Sequence, residues 1–142
     1  MRTGFKSAFF DTAPFIYLIE GHIQFAPIVR DIFVYCQSHS VQLTTSVLTT
    51  LEFKTKPLRN NRTDVVNAFD SLLADLQIMI VPITTQVVEK ALDLQTQLHS
   101  LKAIDSMQLG AASFYQCDAI ITNDNRLTQL NQLQIITLDQ WK

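Results

Sequence analysis

Short apolar runs alternate along the chain with longer stretches in which apolar residues recur every three or four positions. The runs at 7–10 (Ser-Ala-Phe-Phe), 41–44, 78–81, 119–122 and 133–137 are too short for helices. Several are continuously apolar, as expected of strands covered on both faces of a parallel sheet. The intervening segments follow helical spacing. Residues 12–20 predict a helix capped by Asp11 or Thr12, with Pro14 in its first turn and Gly21 as its stop. A second helix is expected over about 24–37. There Phe25, Ile28, Val29, Ile32, Phe33 and Cys36 share one face, while Ala26 and Val34 lie off it and are consistent with a buried dimer surface. Ser46 is placed to cap a helix that carries Glu52 and is limited by Pro57. Further helices are expected at 61–74 (Val65, Phe69, Leu72 and Leu73 inward), from Thr84 or Thr85 to about Leu98, at about 103–116, and briefly at 124–130. Strands separated by helices predict an α/β fold, a parallel sheet of about five strands with helices on both faces.

Composition narrows the picture without changing it. A length of 142 residues fits a single domain, 1–142, and 47% hydrophobic content suits a compact core. No linker, low-complexity tract or internal repeat suggests a second domain. The net charge of −2 excludes a polycation, so nucleic-acid affinity would need a local basic patch or bound cations. No apolar run approaches the ~20 residues of a membrane span. No signal peptide is apparent, so a cytoplasmic, reduced setting is expected; Cys36 and Cys117 read as small core residues.

The candidate chemistry is acidic. Asp11 and Asp124 follow the first and fourth apolar runs, and ligands of open α/β sheets sit beyond the carboxyl ends of the strands. Glu52 and Asp105 lie on helices that can reach the same edge. Converging carboxylates repel one another and raise a pKa. A divalent cation with a preference for oxygen ligands relieves that repulsion and can activate water against a phosphate. Each acid also has a structural reading: Asp11 and Asp105 as helix caps or first-turn acids, Asp124 as a turn residue, Glu52 as a solvated helix residue. Lys54, Lys56, Arg59 and Arg62 form a basic segment just after Glu52, suited to a phosphate backbone or simply an exposed loop. Lys102 and Arg126 flank Asp105 and Asp124, where they can touch phosphates or pair with the acids. His22, His39 and His99 stand apart and read as ordinary histidines; Trp141 is expected to pack the C-terminus onto the domain.

Four segments resemble the PIN-domain family, in particular the small VapC-like toxin ribonucleases of type II toxin–antitoxin systems. They are Phe9-Phe10-Asp11-Thr12-Ala13-Pro14 through Glu20, Ser46-Val-Leu-Thr-Thr-Leu-Glu52, Leu101-Lys102-Ala103-Ile104-Asp105 through Ala112, and Ile120-Ile121-Thr122-Asn123-Asp124-Asn125-Arg126-Leu127. The resemblance covers nearly the whole chain; Ala13 departs from it where many members carry Ser or Asn. It implies a PIN-like domain and an Mg²⁺- or Mn²⁺-dependent endoribonuclease. One or two metals would be held by Asp11, Glu52, Asp105 and Asp124, Glu52 directly or through water. Cleavage would leave 5′-phosphate and 3′-hydroxyl ends. Thr12 and Thr122 would orient the carboxylates by hydrogen bonding. The expected partners are RNA, a small antitoxin and a second copy of the chain, with no membrane. A PIN fold kept as an RNA- or protein-binding module with little or no catalysis is the alternative. A phosphotransfer domain does not fit, because Ala13 stands where a haloacid-dehalogenase-like phosphatase needs a second aspartate.

Overall fold

The computed structural model describes residues 4–141. Five strands form one parallel sheet: β1 (Ser7–Phe10), β2 (Gln42–Ser46), β3 (Met79–Val81), β4 (Ala119–Thr122) and β5 (Ile135–Thr137). Their order is β3-β2-β1-β4-β5, so β1 is central and the chain order reverses beside it. Six α-helices connect them: α1 (Thr12–Glu20), α2 (Ala26–Ser38), α3 (Val47–Arg59), α4 (Thr63–Asp75), α5 (Thr85–Gln97) and α6 (Ala103–Phe114).

Alternation along the strands divides the core into two layers. Ala8 and Phe10 of β1, Ala119 and Ile121 of β4 and Ile136 of β5 pack against α1–α4 through Phe15, Val29, Phe33, Phe53 and Phe69. Phe9 and Ile120 face the opposite way, onto Val87 and Leu94 of α5 and Leu109 and Ala112 of α6. The first layer is rich in rings: Phe10 stacks on Phe33 at 4.8 Å and Phe53 on Phe69 at 4.3 Å. The second relies on close helix approach. A Cβ on Gly110 of α6 would stand 2.6 Å from the Val87 carbonyl oxygen and 3.0 Å from the Ala91 nitrogen, both backbone atoms of α5.

The expected element order is observed, and its boundaries move for physical reasons. β2 runs to Ser46, which is both the last strand residue and the cap of α3, its Oγ accepting the Leu48 N–H at 3.1 Å. Pro57 does not limit α3, which continues to Arg59. Its missing N–H removes one bond near the helix end. The Asn60 N–H reaches the Lys56 and Pro57 carbonyls and the Arg62 N–H reaches Pro57, while packing of Phe53 on Phe69 holds the helix against α4. The helix expected at 24–37 starts at Ala26, because the His22 ring nitrogen accepts the Gln24 and Phe25 N–H groups in the preceding turn. Ala26 itself is buried in the chain's own core and cannot serve a dimer face, whereas Val34 is exposed. The short helix after β4 is a 3₁₀ turn over Asn125–Gln129. At the other end of the chain, the Trp141 indole donates to Asp31 at 2.6 Å and packs edge-on against Tyr35.

Gly110→Ala is expected to lower stability by about 1–3 kcal/mol in urea unfolding despite alanine's better helix propensity, because the added methyl meets backbone that has no rotamer to move.

Candidate active site

The site is assembled at the carboxyl end of β1. The Asp11 N–H donates to the Ile121 carbonyl at 3.0 Å, extending the pairing of β1 with β4 by one residue. That bond fixes Asp11 beside Thr122. The Asp11 carboxylate caps α1, accepting the Thr12 N–H on Oδ1 at 2.8 Å and the Thr122 hydroxyl on Oδ2 at 3.0 Å. Burial nevertheless dominates its titration and, with the nearby charges of Glu52 and Asp105 adding, pushes its pKa up to about 6. Capping of α1 and proximity to the charges of Glu52 and Asp105 thus coexist at this residue.

The other acids arrive from three further elements. Glu52 stands on α3, exposed, its Oε1 accepting a hydrogen bond from the Thr12 hydroxyl at 2.6 Å. Asp105 lies in the first turn of α6 and borders a narrow cleft with Asp11, Gln108, Leu109 and Leu127. Asp124 follows β4, its N–H donating to the Thr122 hydroxyl at 3.1 Å. Thr122 thus joins Asp11 to Asp124, and Thr12 joins α1 to Glu52. The two threonines expected to orient carboxylates do contact them.

Arg126 crosses the far side of the site. It donates through Nε to the Asp124 carboxylate at 3.0 Å and through Nη2 to Asp105 at 3.4 Å, and its Nη1 reaches the Ser100 carbonyl at 3.0 Å. These bonds hold the Asp124 carboxyl below its ordinary range and raise the Arg126 guanidinium. With Asp124 turned onto this partner, no three acidic, histidine or cysteine side chains among the described residues converge as a metal cage. Of the two arrangements open to Arg126, the structure shows the ion pair.

The remaining basic residues divide. Lys54 is engaged with Asp70 of α4 at 2.8 Å and lies over the Phe69 ring. Arg62 makes two 2.9 Å bonds to Asp64. Lys56, Arg59 and Lys102 are exposed. Lys56 and Arg62 also border an open cavity of about 420 Å³ with Glu20, Asn60 and Val65. Within the expected basic segment Lys56, Arg59 and Arg62 are turned to solvent, and Lys54 is half-buried.

A buried polar set escaped the sequence reading. Gln108 of α6, Ser46 of β2 and Thr49 of α3 are each nearly sealed from solvent and hydrogen-bonded together next to Thr12. A glutamine inside the apolar face of a helix, opposite a Thr-Thr-Ser strand end, was the available signal.

Residues 8–133 match the sequence profile of the PIN domain, and the chain belongs to the PIN domain family. No curated protein sequence matches the chain. Solved structures share its fold at low identity. VapBC2 from Rickettsia felis, bound to a promoter DNA fragment, superposes with a TM-score of 0.77 at 12% identity over 92% of this chain and 98% of that one. A toxin–antitoxin complex from Klebsiella pneumoniae gives 0.71 at 18% identity, covering 92% and 97%. VapC20 of Mycobacterium tuberculosis, a Sarcin-Ricin loop cleaving toxin, gives 0.60 at 12% identity, covering 80% and 86%. No helix among the described residues is long and apolar enough to cross a membrane.

Two outcomes follow from the charges. A carboxyl whose folded pKa lies near 6, above its ordinary 3.8, costs stability once ionised. The folded form binds the extra proton between those values, so the cost is full above about 6 and vanishes below 3.8. Asp11→Asn is therefore expected to melt above wild type in EDTA at pH 7.5, with the gap closing as pH falls through 6, read by calorimetry. Arg126→Gln should raise the Asp124 carboxyl toward its ordinary range, read by carboxyl ¹³C shifts against pH.

Proposed function

We propose that the chain is a Mg²⁺- or Mn²⁺-dependent endoribonuclease and the toxin of a toxin–antitoxin pair. The observation that carries this reading is the cleft that Asp11, just past β1, shares with Asp105 of α6, with Glu52 tied in through Thr12 and Asp124 through Thr122, and with the charges of Glu52 and Asp105 acting on the half-buried Asp11. Those donors suit a hard divalent cation, and PIN nucleases generally use one. The residues proposed to hold it are Asp11, Asp105 and Asp124, with Glu52 directly or through water. A bound cation would supply an activated water and neutralise charge on the phosphate.

The protein's own groups do the rest. Thr122 holds Asp11 and Thr12 holds Glu52, so the carboxylates meet an incoming cation already oriented. Arg126 pairs with both Asp124 and Asp105 and offsets their charge. A bound cation would take over that compensation and leave the Arg126 guanidinium available to a phosphate. Lys56, Arg59 and Lys102, with Lys54 and Arg62 once released from their acidic partners, would position the RNA backbone without reading its bases.

The toxin role draws on the neighbours. VapBC2 and the Klebsiella pneumoniae complex are solved as toxin–antitoxin assemblies, and VapC20 is a Sarcin-Ricin loop cleaving toxin. A small antitoxin covering the acids and a homodimer are the partners proposed here. The exposed Val34, in an apolar groove with Leu18, Phe33, Leu72 and Leu76, offers a surface for the second copy.

A second reading, a PIN-fold binding module with little catalysis, is favoured by one observation: Arg126 already satisfies two of the acids. One experiment separates the two. The purified chain should cleave RNA with Mg²⁺ or Mn²⁺ and not with EDTA, and Asp11→Asn and Asp105→Asn should each abolish cleavage. Mutants that cut as well as wild type would sink the site assignment. A wild-type chain that binds RNA without cutting it would favour the module.

A further inference from the structure

Gln108 spans the floor of the site without touching an acid. Its Oε1 accepts the Ser46 hydroxyl in a short hydrogen bond. Its Nε2 donates to the Thr49 hydroxyl at 2.7 Å and, more loosely, to the Thr12 hydroxyl at 3.5 Å. Thr49 also meets the Thr45 hydroxyl at 2.8 Å, which in turn reaches the Phe10 carbonyl at 2.8 Å. Every member of the set is buried, and no buried side-chain nitrogen or oxygen among the described residues lacks a partner.

Proton counting gives this network a direction. A hydroxyl carries one proton and two lone pairs. Thr12 stands 2.6 Å from the Glu52 carboxylate, which only accepts, so the Thr12 proton is spent there. Thr12 can then offer its neighbours only lone pairs, and Gln108 must present N–H rather than C=O. Phe10 likewise claims the Thr45 proton, so Thr49 donates to Thr45 and accepts from Gln108. The amide orientation meets all of these demands at once, and Ser46, donating to Oε1, holds it there. A flipped amide would set its oxygen against the lone pairs of Thr12.

We infer that Gln108 is a positioning residue, whose amide fixes the donor direction of the Thr49–Thr12 hydroxyl set so that Thr12 holds the Glu52 carboxylate at the acid cluster. The inference rests on the nuclease reading above and assigns Gln108 a part in it. α6 thereby contributes to the site twice, through Asp105 in its first turn and through Gln108 one turn later.

The test is a double-mutant cycle of Gln108→Met with Glu52→Gln, read as Mn²⁺ affinity by titration calorimetry on the folded full chain. In the wild-type background Gln108→Met should weaken Mn²⁺ binding about 10-fold. It should also lower kcat for RNA with KM little changed. In the Glu52→Gln background it should change Mn²⁺ affinity less than about 2-fold, because the group it acts through is gone. Should Gln108→Met fail to fold, the pair Thr12→Val and Thr12→Ser replaces it: valine should reproduce the loss and serine, which keeps the hydroxyl, should restore binding. Equal losses in both backgrounds, no loss in the wild-type background, or a Thr12→Val chain that binds like wild type would overturn the positioning role while the nuclease reading stands. A wild-type chain that neither binds Mn²⁺ nor cleaves RNA overturns the nuclease reading and this inference with it.

Discussion

The single bond from the Asp11 N–H to the Ile121 carbonyl sets the geometry on which the site depends. It carries the β1–β4 pairing one residue past Phe10 and places an aspartate at the carboxyl end of the central strand, where neighbouring strands diverge. From there Thr122 reaches Asp11 and supports Asp124 through its N–H, while Thr12 begins α1 and meets Glu52. Shifting β1 by one residue would send Phe10 to the α5–α6 layer and remove Asp11 from the edge. Alternation of Ala8, Phe9 and Phe10 between two filled layers prevents that slip.

The site opposes the stability of the domain that builds it. Asp11 is held in a position that burial makes costly for its charge, and its two hydrogen bonds offset only part of that cost. Arg126 offsets the charge of Asp124 and Asp105 on the other side. The uncompensated part of the cluster, around Asp11 and Glu52, is where an added cation would gain most. Groups tuned away from their ordinary titration are common in functional clefts for this reason.

Much of this was legible in the chain. The runs ending at Phe10 and Thr122 are the strands β1 and β4, and the acids that follow them pointed at one edge. The PIN profile over residues 8–133 agrees with the four segments that resembled that family. What was not legible depended on contacts between distant residues. Pro57 looked like a stop, yet the stacking of Phe53 on Phe69 carries α3 past it. Ala26 looked superfluous to the core and is buried in it. Lys54 read as part of a basic arm until Asp70, sixteen positions on, took its charge. Gln108 lies within the third family-like segment but had no role read from it, and its place is visible only once α6 lies over the end of β2.

Ser46 ends β2 and caps α3 with no residue between, so Glu52 is carried on an arm of fixed length. Six residues of helix amount to about 9 Å of rise, and each residue turns the helix by about 100°. One inserted or deleted position between Ser46 and Glu52 would swing the carboxylate round the helix axis, away from Thr12. The turn from Asn60 to Arg62, past the end of α3, can change length without moving any of the four acids along its own element. A change in chain length is therefore neutral to the acids only on the far side of this helix, and the interval from residue 46 to residue 52 acts as a ruler.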